Sequence, residues 1–125
     1  MPEPAIHQNL EALARSTAAE AADLILTMRR EAVDVAGTKS SATDVVTQAD
    51  LASEKLIRDR ILGARPGDGF IGEEGDNIPS TSGVTWVVDP IDGTVNYLYG
   101  IPFYAVSIAA QIDGQTVVAV VNAPE

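Results

Sequence analysis

The sequence predicts an α+β domain, with helices gathered in its first half and strands in its second. Three observations carry this. Apolar residues recur at helical spacing through two long stretches before Ile61. Beyond Gly69 they fall instead into short runs bounded by Gly, Pro and Asp. Asp113-Gly114 separates the last two runs, which is a strong hairpin signal. With 125 residues, of which 46% are hydrophobic, the chain can bury a core and is a single domain or the N-terminal part of one.

The first helix is expected from Pro4 to Val33. Ile6, Leu10 and Leu13 recur at spacings of four and three, as do Ala14, Ala18, Ala21, Ile25 and Met28. Pro4 is tolerated in a first turn, and the many alanines favour helix and close packing. His7, the only histidine, reads as a surface residue without a Ser or Cys partner, which argues against a Ser-His-Asp triad. Gly37 ends the region, and Lys39-Ser40-Ser41 reads as a polar loop. A second helix is expected from Val45 to Ile61, with Val45, Ala49, Ala52 and Leu56 on one face and Glu54 paired to Arg58. Thr47-x-x-Asp50 reads as its capping box. Phe70-Ile71 is a short strand ending at Gly72. Glu73 and Glu74 then lead into a polar segment that runs to Gly83. Trp86–Val88, Ala105–Gln111 and Thr116–Val121 are further strands.

Composition narrows the function. The formal charge of −10 disfavours a nucleic-acid backbone or an anionic membrane surface as partner. An anionic substrate would need a metal ion to invert the local charge. The absence of cysteine removes thiolate chemistry and suits a reducing cytoplasm. No apolar stretch is long enough to span a bilayer, and the first residues lack the pattern of a signal peptide.

The chemistry concentrates in Asp89-Pro90-Ile91-Asp92-Gly93-Thr94. An apolar run delivers two carboxylates into what reads as one tight turn, with Pro90 between them. Gly93 allows backbone to approach a ligand. Thr94–Tyr99 could form a short helical turn whose free N–H groups suit phosphate. Upstream stand Glu73 and Glu74. Four carboxylates so placed repel unless a cation holds them, and hard oxygen ligands select Mg²⁺, Mn²⁺ or Ca²⁺. An EF-hand loop would need oxygen ligands at alternating positions, which are absent.

Together with Asn96-Tyr97, Gly72-Glu73-Glu74, Lys39-Ser40-Ser41 and the Thr47–Asp50 segment, this motif resembles the signature of the inositol monophosphatase family. The resemblance implies a layered α-β-α-β-α sandwich of the sugar-phosphatase type, of which this chain covers the first half. It implies Mg²⁺-dependent hydrolysis of a small-molecule phosphate monoester, with inositol monophosphate the first candidate. Histidinol phosphate and nucleotide phosphates are the alternatives, as is a non-catalytic or regulatory protein of this fold. By resemblance, Glu73, Asp89 and the Ile91 carbonyl hold one ion, and Asp89 and Asp92 a second. Glu73 and Thr94 would orient and deprotonate the attacking water, with Asp50 near the metals. Asp92, Gly93 and Thr94 would meet the substrate, and Lys39 and Glu74 would stand around the site. The family also implies lithium sensitivity and a homodimer. Its domain is about twice this length and supplies a further aspartate from a Trp-Asp motif absent here. Residues 1–125 alone are therefore expected to be inactive, with an apolar sheet face that promotes self-association.

Overall fold

Helix α1 spans Pro4–Val35 and α2 spans Ala42–Ala64. They are followed by β1 (Gly69–Gly72), β2 (Asn77–Ile78), β3 (Val84–Asp92), α3 (Thr94–Tyr99), β4 (Ala105–Ile112) and β5 (Gln115–Asn122). This is a computed structural model, and it describes residues 4–35, 42–73, 77–99 and 101–124.

Helix α1 forms where the apolar period places it. Leu10, Ala14, Ala18, Ala21 and Ile25 lie fully buried along one side. Helix α2 departs from expectation in two ways. It begins at Ala42, so Thr47 and Asp50 lie within its body rather than at its cap. Its buried stripe is Ala49, Ser53, Ile57 and Ile61, whereas Ala52 and Leu56 are only half-buried. The side chain of Val45 lies outside the described residues.

The five strands form one sheet in the order β2-β1-β3-β4-β5. Strands β1 and β3 run parallel, and the other neighbours antiparallel. The polar segment after Glu73 contains the short strand β2, which the sequence reading missed. The β4–β5 hairpin turns on Asp113 and Gly114, both at positive φ (50° and 83°), as a two-residue primed turn requires. Both long helices cover one face of the sheet, where Phe70, Trp86, Val88, Val106, Ile108 and Ala110 are buried. The opposite face carries Ile71, Val87, Ala109 and Ala119 in one row across the strands, and Ile71 is 46% exposed. Helices and sheet thus form two packed layers.

At the end where β1 and β3 begin, the buried Asp68 carboxylate accepts hydrogen bonds from Arg65 Nε, Ser82 Oγ (2.6 Å) and Trp86 Nε1 (2.8 Å). That network ties the loop before β1 to β3 and anchors the largest core side chain. No helix among the described residues is long and apolar enough to cross a membrane.

Candidate active site

The site grows from the register of two parallel strands. Gly72 pairs with Val88, so the next residues, Glu73 just past the end of β1 and Asp89 within β3, stand side by side. Asp92 joins them through an irregularity. Asp89 pairs with Ser107 and Asp92 with Ala105, so three steps along β3 oppose two along β4. This is a β-bulge. On a regular strand, residues three apart point to opposite faces. The extra residue restores Asp92 to the face of Asp89. The consecutive burial of Pro90 and Ile91 is its mark, and a bulge is one of the few places inside a sheet that accepts proline. The acids therefore sit on a bulged strand rather than in the tight turn the sequence reading expected.

The electrostatics of the site follow from this proximity. Burial, then a hydrogen bond and repulsion from Glu73, then the charge of Asp92 push the Asp89 carboxyl up to about 7. Asp89 Oδ1 is buried and has no hydrogen-bond partner among the described residues. Glu73 and Asp92 are exposed. Among the described residues, no three acidic or histidine side chains close around a common point. What exists is a contacting pair, Glu73 and Asp89, with Asp92 close by. A buried carboxylate oxygen without a donor, next to two further carboxylates, fits a hard divalent cation.

Beyond the bulge, Gly93 adopts a φ of 87°. A Cβ there would also lie 2.9 Å from the Phe103 carbonyl oxygen, so both backbone angle and close approach demand glycine. Helix α3 follows at once, with the Tyr97 amide donating to the Gly93 carbonyl (3.0 Å). Three contacts fix α3. The Tyr97 hydroxyl donates to the Ile25 carbonyl (2.8 Å). Arg29 Nε donates to the Tyr97 carbonyl (3.1 Å). Asn96 Nδ2 donates to the Phe103 carbonyl (2.8 Å). Burial pushes the Tyr97 hydroxyl to about 12, against the opposing charge of Arg29 and with a contribution from Asp50. Asp50 thus stands within electrostatic reach of α3, the helix Thr94 begins. Asp92, Gly93, Asn96 and Phe103 line a cavity of about 510 Å³.

Lys39 and Glu74 lie outside the described residues. Two residues escaped the sequence reading. Ser53 and Glu54 on α2 are 0% and 2% exposed. The Ser53 hydroxyl donates to the Pro90 carbonyl (3.0 Å). The Glu54 carboxyl, read from sequence only as a partner of Arg58, packs against Gly72, where an added Cβ would meet it at 2.5 Å. A serine within an otherwise apolar helical stripe was the available signal. His7, expected at the surface, is half-buried, and its Nε2 is shielded without a partner among the described residues.

Comparison with known proteins gives a consistent picture. The sequence profile of the inositol monophosphatase family matches residues 7–125. An inositol-1-monophosphatase of Mycobacterium leprae is 46% identical over 91% of the chain, which spans 44% of that protein. A histidinol-phosphatase of Chlorobaculum parvum is 46% identical over 63% of the chain and 30% of that relative. Among solved structures, Mycobacterium tuberculosis SuhB superposes with a TM-score of 0.77 at 45% identity, over 99% of this chain and 42% of SuhB. The chain spans less than half the length of these relatives.

Proposed function

The chain belongs to the inositol monophosphatase family, and from that premise we propose that its protein hydrolyses a phosphate monoester with Mg²⁺, inositol monophosphate being the first candidate. The observation that supports this most directly is the contact of the Glu73 and Asp89 carboxyls beside Asp92, with the buried Asp89 Oδ1 left without a donor among the described residues. Phosphate-ester hydrolysis is very slow without catalysis, and its catalysis rests on positioning and charge neutralisation. Magnesium supplies that neutralisation and acidifies water.

The chain's own residues do the rest. Glu73, Asp89, Asp92 and the Ile91 carbonyl form the oxygen donor set. Glu73 and the Thr94 hydroxyl would orient the attacking water, and the Glu73 carboxylate would take its proton. The Gly93 and Thr94 amides, at the start of α3, receive phosphate oxygens. Asp50 adds negative potential near that helix. The histidinol-phosphatase relative makes histidinol phosphate the second substrate reading.

The test is phosphate release by the complete protein from both esters at millimolar Mg²⁺. Turnover should stop in chelator and fall with added lithium at fixed Mg²⁺. Asp92→Asn keeps the volume but removes a ligand charge, and should lower kcat by about 100-fold or more. Equal turnover in chelator, or rescue by zinc alone, would refute the proposal.

A further inference from the structure

Glu73 and the Asp89–Asp92 bulge belong to different strands, yet both must hold their places to within a fraction of an ångström for one ion to bind them. The sheet alone does not secure this. Glu73 lies just beyond the last β1–β3 pairing, at Gly72 and Val88. The bulge interrupts the β3–β4 ladder between Asp89 and Asp92. Both ends of the site therefore sit where strand pairing gives out.

Helix α2 lies beneath them. Ser53 and Glu54 are consecutive, so they leave the helix about 100° apart and can reach two neighbouring strands. Ser53 reaches the bulge, donating to the carbonyl of Pro90 at 3.0 Å. Pro90 is itself buried, so its carbonyl needs a donor from elsewhere once the ladder is broken. Fixing that oxygen fixes the Pro90–Ile91 peptide plane, from which the Ile91 carbonyl and Asp92 depart. Glu54 reaches the other strand. Its carboxyl occupies the volume a side chain on Gly72 would take, 2.5–2.6 Å from where a Cβ would stand. At 2% exposure it has little room to yield. Gly72 is the residue from which Glu73 emerges.

We propose that Ser53 and Glu54 are positioning residues, which lock the Glu73 segment and the Asp89–Asp92 bulge to a single turn of α2 and so set the spacing of the cation ligands. The inference rests on the metal-site reading above. It gives two buried polar groups a reason that packing does not, since alanine would suit the Ser53 position of a helix at least as well.

The test is Mn²⁺ binding to the complete protein by electron paramagnetic resonance, with thermal unfolding in parallel. Ser53→Ala should weaken Mn²⁺ binding about tenfold, the usual effect of removing a group that orients a ligand. Ser53→Cys keeps the volume but donates weakly, and should behave like the alanine variant. Gly72→Ala displaces the Glu54 carboxyl and should weaken binding comparably. Asp68→Asn, at the far end of the sheet, should lower the melting temperature yet leave Mn²⁺ affinity within about twofold. Parent protein that binds no Mn²⁺ overturns the metal-site reading and this inference together. A parent that binds, with Ser53→Ala, Ser53→Cys and Gly72→Ala all within about twofold of it, overturns the inference alone. So does an Asp68→Asn variant that loses as much affinity as Ser53→Ala.

Discussion

Without a cation, the Asp89 carboxyl is held at about 7, chiefly by burial and then by Glu73 and Asp92. In the unfolded chain an aspartate ionises near 4. Between those values the folded protein keeps a proton that the unfolded chain has released, so stability falls as pH rises through this window. Metal-free protein titrated with urea should show a falling midpoint from pH 5 to pH 8, and Asp89→Asn should flatten that slope. Cation binding has the opposite requirement, because the carboxylate must be ionised to serve as a ligand. Mn²⁺ titrations should therefore give tighter binding at pH 8 than at pH 6, and equal affinity at the two would sink the assignment of Asp89.

At the level of elements, two features set stability away from the site. Gly114 occupies the left-handed region at the β4–β5 turn, so Gly114→Ala should cost about 1 kcal/mol by urea denaturation. Asp68 satisfies three donors inside the fold. Asp68→Ala should cost about 3 kcal/mol by the same measurement, because it strands a partly buried arginine and the Trp86 indole N–H. Elements were legible where one local rule acted alone, as in the heptad-scale periodicity of α1 and the Asp-Gly hairpin. Strand β2 was not, because Asn77–Ile78 is too short to show a period and is held by pairing with β1. The start of α2 was misplaced because Thr47-x-x-Asp50 imitates a cap. The bulge was hidden because Pro90 and Gly93 signal a turn as strongly as they signal a kinked strand. The acids were legible as a motif. Their shared face was not, since it depends on the β4 register. Ser53 and Glu54 were invisible as site residues, because their partners lie in segments distant along the chain.

At the scale of the whole molecule, the sheet is covered on one side only among the described residues. Ile71 and Val121 lie exposed on the other side, Val121 on the edge strand β5 at 68% exposure. Tyr99 and Phe103 add further exposed apolar surface near the site. Residues 1–125 prepared by themselves should associate as concentration rises, as measured by sedimentation velocity, since an open strand edge and an apolar face both promote it. Val121→Lys should shift that equilibrium towards monomer. A compact monomer at all concentrations, turning over as fast as the complete protein, would contradict this account.

The bulge also sets limits on transplantation. Six residues, Asp89 to Thr94, look like a portable cassette for anyone wishing to install a cation site in another scaffold. Grafted onto an ordinary strand they would send the two acids to opposite faces, one of them into the host's core. The recipient would have to offer a neighbouring strand that gives two residues to the cassette's three. It would also need a hydroxyl beneath the proline carbonyl, and open space where Gly93 passes the returning chain.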